Sequence, residues 1–143
     1  MADYIPDIKT LIPQGPPFIM VDRLLDSAES ATTTSFSVTA DNLLMIGRKF
    51  SVAGLIENMA QTAAAGAGYA AFAAGGAACD GAVRGGAIVA INNFEITRLP
   101  ELGEELITTV TVTARVADIV VISGRITCGQ SIVATGEMKI LIM

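Results

Sequence analysis

The 143-residue chain contains no histidine and no tryptophan. Without an imidazole it cannot by itself build a Ser-His-Asp triad, a Cys-His pair, a histidine-ligated zinc site or a histidine general base. Aromatic residues make up only 5% of the chain, so stacking platforms for nucleic acid are not expected. Basic residues are also scarce: nine Lys and Arg stand against fourteen Asp and Glu, a net charge of −5, with no basic run. Phosphate backbones need clustered Lys and Arg, which argues against a nucleic-acid partner. Two cysteines, Cys79 and Cys128, are too few for a zinc site. Neither has the electropositive setting that makes a thiol reactive, although one disulfide between them is open. The opening residues Met1-Ala2-Asp3-Tyr4 lack the basic-then-apolar pattern of a secretion signal. A reduced, cytoplasmic protein is the expectation.

What is present is apolar and small. Hydrophobic residues reach 52% and charged residues only 16%, which excludes a disordered chain and predicts one packed domain over 1–143. No charge occurs between Glu57 and Asp80, a span long enough for a bilayer. It is mostly Ala and Gly, however, and carries Asn58, Gln61 and Thr62, whereas membrane insertion relies on Leu, Ile, Phe and Val. A buried helix is expected, not a membrane span.

Four of the five prolines, Pro6, Pro13, Pro16 and Pro17, fall in residues 1–17 and predict an ordered arm or a short helix followed by a turn. Strands are predicted over Phe18–Leu25 and Thr32–Val38, then a loop over Asp41–Phe50 carrying Arg48 and Lys49. Ser51 is a suitable N-cap for a helix over 52–74, stopped by Gly75 and Gly76. Apolar or small residues on nearly every face predict a helix buried all round, with its Ala and Gly faces close to a surrounding backbone. Gly66-Ala67-Gly68-Tyr69-Ala70-Ala71 meets a loose dinucleotide-loop pattern, but its glycines lie inside the helix, so close packing is the better reading. After a loop over Gly75–Gly86, containing Arg84, strands are predicted at Ala87–Ile96, Glu105–Val116, Ile119–Thr127 and Ser131–Ile142. The turn residues Pro100–Gly103 and Gly129-Gln130 separate them. The order predicts an α+β hotdog fold: an antiparallel sheet of about six strands wrapped around one long central helix.

The residues also carry a family resemblance. Ile12-Pro13-Gln14-Gly15-Pro16-Pro17-Phe18-Ile19-Met20-Val21-Asp22-Arg23 resembles the opening Leu-Pro-His-x-x-Pro-Phe…Val-Asp-Arg of the 3-hydroxyacyl-acyl-carrier-protein dehydratases of the FabZ/FabA type. Leu55-Ile56-Glu57-Asn58-Met59-Ala60-Gln61 is similar to that family's central-helix motif, Ile-Glu-x-Met-Ala-Gln. Pro100-Glu101-Leu102-Gly103-Glu104-Glu105-Leu106 is similar to its Pro-x-x-Gly-Asp-x-Leu turn. The resemblance implies acyl thioesters carried on phosphopantetheine, as acyl carrier protein or coenzyme A, with no metal and no separate cofactor. It implies a homodimer or a hetero-oligomer with another hotdog subunit, with sheets joined edge to edge. Glu57 matches the helix carboxylate that protonates the leaving hydroxyl, a role that burial would favour by keeping the carboxyl protonated. Gln61 lies one turn on and can bond Glu57, the carrier arm or a strand. Backbone N–H groups at Val52, Ala53 and Gly54 are candidates for polarising the thioester oxygen. Gln14 occupies the place of the family's early His. Arg48 and Lys49 are candidate carrier-protein contacts, with ordinary solvated charges as the alternative.

The departure from the pattern is specific. The family's catalytic His aligns near Leu43, within Asp41-Asn42-Leu43-Leu44, where the His-Phe-Pro loop is replaced by a shorter, proline-free stretch. Three readings follow: a divergent dehydratase needing a His-bearing partner for fatty-acid or polyene-type biosynthesis, a non-catalytic acyl-binding or structural subunit, or an acyl thioesterase using Glu57.

Overall fold

The computed structural model describes residues 5–28, 30–75 and 85–142. Cys79 and Arg84 lie outside them, as does most of the loop expected at Gly75–Gly86. The chain opens with a single 3-10 turn at Ile8–Thr10, capped by the Asp7 side chain, which accepts from the Lys9 N–H. Strands β1 (Arg23–Ser27) and β2 (Ala31–Ser37) follow, then a small hairpin of β3 (Met45–Ile46) and β4 (Lys49–Phe50). The long helix α1 runs from Val52 to Ala73. Four strands complete the chain: β5 (Gly86–Ile96), β6 (Glu105–Val116), β7 (Ile119–Cys128) and β8 (Ser131–Ile142).

Local chemistry explains these boundaries. Ser51 Oγ accepts from the Gly54 N–H and starts α1. The Ala74 N–H reaches Ala70 O, and Gly75 takes φ +94°, a left-handed geometry that closes the helix at little cost for glycine. Gly129, at φ +60°, turns β7 into β8. Alternating β-branched residues pair antiparallel in the order β1-β2-β6-β7-β8-β5, a six-stranded sheet. The fold is the expected hotdog arrangement, one long helix packed against an antiparallel sheet. No helix among the described residues is long and apolar enough to cross a membrane.

Two apolar clusters hold α1. Between helix and sheet, Leu55 and Met59 meet Phe36, Phe50, Leu106, Ile122 and Met138, all buried. The N-terminal segment folds back over another side of the helix, where Ile8, Leu11, Ile12, Val21 and Leu24 pack around Ala65. Gly68 allows that approach: a Cβ there would strike the backbone carbonyl of Leu11.

Three sequence expectations change, the first being the loop over Asp41–Phe50, which contains the β3–β4 hairpin. The first strand begins at Arg23, not Phe18, because Phe18 and Met20 direct backbone groups to helix side chains and not to a neighbouring strand. Nor is α1 enclosed on all sides: Ala67, Ala70, Ala71 and Ala73 remain exposed. Methyl side chains are too short to bridge to the curled sheet, so small residues open space on this face instead of closing it.

Candidate functional site

That space is a cavity of about 770 Å³ between α1 and the sheet. Its helix wall is the small-residue stripe Ala60, Ala63, Ala64, Ala67, Ala70 and Ala71, at the i, i+3, i+4, i+7 spacing of one face. Its sheet wall is aliphatic, with Val110 and Val112 of β6, Val120 and Ile122 of β7, and Ile140 and Ile142 of β8. Polar groups are few: Glu57 and Gln14 lie on the wall made by the helix and the N-terminal segment, with Ser27, Ser30, Thr32, Tyr69 and Arg115 elsewhere on the lining. A mainly apolar concavity with a few polar groups is the usual form of a small-molecule site.

The carboxyl of Glu57 is held by a buried amide. Gln61 Oε1 accepts from the Met20 N–H at 2.7 Å, and its Nε2 donates to Phe18 O at 2.9 Å. The backbone therefore dictates which way this amide points, since an N–H can only donate and a carbonyl can only accept. The remaining Nε2 hydrogen goes to Glu57 Oε2 at 2.9 Å. One carboxyl oxygen, Oε2, is thus engaged as an acceptor by Gln61. Of the three partners expected for Gln61, the structure shows Glu57, and in place of a strand it shows the irregular segment at Phe18 and Met20.

Asn58 extends the network into the sheet. Its Nδ2 donates to Met20 O at 2.7 Å, and its Oδ1 accepts from Thr108 Oγ1 of β6 at 2.6 Å. Thr62 Oγ1 donates to Asn58 O at 2.8 Å and lies 2.7 Å from Thr34 Oγ1 of β2. Asn58, Gln61, Thr62, Thr34 and Thr108 are all buried. Satisfied buried polar groups of this kind specify register, so the helix cannot slide or rotate without stranding them.

The other sequence candidates are more scattered. Gln14 lines the cavity, and its Oε1 is buried without a donor among the described residues. Val52, Ala53 and Gly54 form the first turn of α1 and are not among the residues lining the cavity; the Gly54 N–H is already used by Ser51. Arg48 and Lys49 are exposed at the β3–β4 turn. Leu43, at the place of the family histidine, is exposed in the preceding loop. Burial, and secondarily the negative charge of Glu104, raises the Cys128 thiol to about 11, so it stays protonated and inert.

Sequence reasoning assigned no role to Asn58 or to the walls of the cavity. A signal for the cavity was present: alanine recurs on one helical face, opposite strands rich in Val and Ile, and leaves their volume unmatched.

The fold likeness extends to solved structures. The dehydratase heterocomplex ApeI:P from Xenorhabdus doucetiae matches with a TM-score of 0.82 at 13% identity, over 98% of this chain and 93% of that one. The PaaI protein from the phenylacetic acid degradation operon of E. coli gives 0.63 at 17% identity, over 82% and 80%. A hypothetical thioesterase protein with coenzyme A from Streptococcus pneumoniae gives 0.62 at 9% identity, over 85% and 84%. No curated protein sequence matches. The sequence profile of the ApeP-like family, described as ApeP dehydratase, does match, from residue 6 to residue 142, and with this coverage the chain belongs to the ApeP-like dehydratase family.

Proposed function

We propose that this chain is the acid-bearing subunit of a 3-hydroxyacyl thioester dehydratase whose base resides on a histidine-bearing hotdog partner. The observation that carries the reading is the half-buried Glu57 on the wall of an aliphatic cavity, oriented by Gln61. The acyl group lies along the alanine stripe, and the phosphopantetheine of an acyl carrier protein or coenzyme A leads out to solvent. The exposed pair Arg48 and Lys49, just ahead of α1, offers an acidic carrier a local positive contact despite the net charge of −5.

In the reaction the partner's base removes the proton on the carbon next to the thioester carbonyl. The electrons of that C–H bond form the new C=C bond, and the C–O bond of the 3-hydroxyl breaks. The Glu57 carboxyl delivers a proton to the departing oxygen, which leaves as water. The products are the enoyl thioester and water. Glu57 ends as a carboxylate and the base as its conjugate acid, so a proton exchange resets both.

A heterologous partner fits the available edges. Within one chain β5 ends the sheet, eleven residues long and with Val89 and Ile91 exposed, a site where a second subunit's sheet can add. The ApeI:P neighbour is itself described as a heterocomplex. The test is to incubate the chain with 3-hydroxyacyl-carrier substrate, alone and with histidine-bearing hotdog partners. Elimination is expected only in a mixture and is lost with Glu57→Gln. A mixture that turns over equally well with Glu57→Gln assigns the chain to a non-catalytic, acyl-binding role and overturns the proposal.

A further inference from the structure

Gln14 carries a buried side-chain oxygen in the cavity that no described residue answers. The residue lines the same space as Glu57. Its location is held firmly. Upstream, the carbonyl of Leu11 lies against Gly68; downstream, Phe18 O accepts from Gln61 Nε2. The chain carrying Gln14 therefore runs along the helix face that also bears Glu57 and Gln61, bounded by Pro13 on one side and Gly15-Pro16-Pro17 on the other. A buried carbonyl oxygen without a donor is costly, and native proteins rarely retain one without a reason.

We infer that Gln14 Oε1 accepts a hydrogen bond from the 3-hydroxyl of the acyl group and so makes the cavity selective for 3-hydroxyacyl over saturated acyl thioesters. The inference rests on the acyl-thioester reading above. A pantetheine arm, with its two amides, needs more partners than an aliphatic wall supplies, so the donor reaching this depth belongs to the acyl group itself.

The geometry gives each partner one task. A hydroxyl has one hydrogen and two lone pairs. Its hydrogen points to Gln14 Oε1, which turns a lone pair toward the proton on the Glu57 carboxyl. Gln14 exchanges no proton: it is a positioning residue, and the departing water keeps the bond to it. A saturated chain puts a methylene at the same place. It displaces cavity water from Gln14 without replacing the hydrogen bond, which lowers affinity.

The probes are a matched pair of unreactive ligands, 3-hydroxyacyl and saturated acyl pantetheine of equal chain length, with the thioester sulfur replaced by nitrogen. Binding is measured by calorimetry to the full chain, alone and with its partner. The wild-type chain is expected to prefer the hydroxyl ligand by about tenfold, the size of one neutral hydrogen bond. Gln14→Leu brings the ratio to about one while leaving saturated-chain binding intact, which also shows that the variant is folded. Gln14→Glu, which keeps an acceptor oxygen there, retains the preference. An unchanged ratio in Gln14→Leu, or a loss of both ligands equally, overturns the role of Gln14 but leaves the acyl-binding reading standing. If neither ligand binds the wild-type chain, both fall.

Discussion

From Val52 to Thr62, α1 buries Gly54, Leu55, Asn58, Met59, Gln61 and Thr62; from Ala63 to Ala73 it buries only Ala65 and Gly68. The first half presents large apolar groups to Phe36, Phe50 and Met138, and binds Met20, Phe18 and Thr108 through buried amides. The second half presents methyl groups to Val110, Ile122 and Ile140 and leaves a cavity between them. One helix thus divides its labour. The rigid half fixes Glu57 to within a hydrogen bond, and the alanine half withholds volume so that a chain has somewhere to lie. Stability and binding capacity are drawn largely from different turns of the same element. Ala60 lines the cavity from the first half, and Ala65 and Gly68 pack against the N-terminal segment from the second.

The sharpest way to test that division is to remove chemistry from the rigid half while leaving its packing. Glu57→Gln is expected to reduce dehydration by the assembled pair about 10²–10⁴-fold, the usual contribution of a positioned acid, with the melting temperature little changed. Steady-state kinetics beside a thermal melt separates the two effects. Asn58→Leu breaks the same half structurally. It leaves the Thr108 hydroxyl and Met20 O without their partner, and a loss of about 2–4 kcal/mol in urea unfolding is expected.

The alanine half should answer in the opposite sense. Ala67→Leu adds volume to an existing cavity, so stability should move by less than about 1 kcal/mol. Affinity for long acyl chains should nevertheless fall several-fold, while short chains are spared. Equal loss for short and long chains would show that the stripe does not set depth.

The smallest effect lies outside both halves. Arg98 holds Glu104 in a bidentate pair at 2.7 and 2.8 Å, and Glu104 also accepts from the Glu101 N–H. The Arg98 hydrogen bonds, followed by the Glu101 N–H, hold the Glu104 carboxyl down at about 2. Its folded value lies below the ordinary carboxylate value of about 4.3, so its stabilising contribution is full above that value. The contribution disappears as pH falls from about 4 through 2. Glu104→Gln should flatten acid unfolding in that window, modestly, because both side chains are about one third exposed. Ligand preference should not change.

Much of the fold was legible because it rests on local rules. Ser51 capping, the Pro-free alanine run and alternating β-branched residues locate the helix and the last four strands to within a residue or two. The strand expected at Phe18 failed for a non-local reason: its backbone groups are claimed by Gln61 and Asn58, about forty residues away in sequence. The site was half legible. Glu57 and Gln61 stand out by resemblance, whereas the cavity depends on how far the sheet curls from a row of methyl groups.

The resemblance points to Glu57 as the helix carboxylate, while the sequence by itself determined that no histidine base exists here and that one long small-residue helix meets an antiparallel sheet. Those are properties of composition and short-range periodicity. Only the tertiary structure decided that the alanine face opens a cavity, that Gln61 bonds Glu57 on its wall, and that Gln14 Oε1 is buried there without a donor among the described residues. Each depends on distances between segments remote along the chain, set by the packing of Leu55 and Met59 against the sheet and of Leu11 against Gly68.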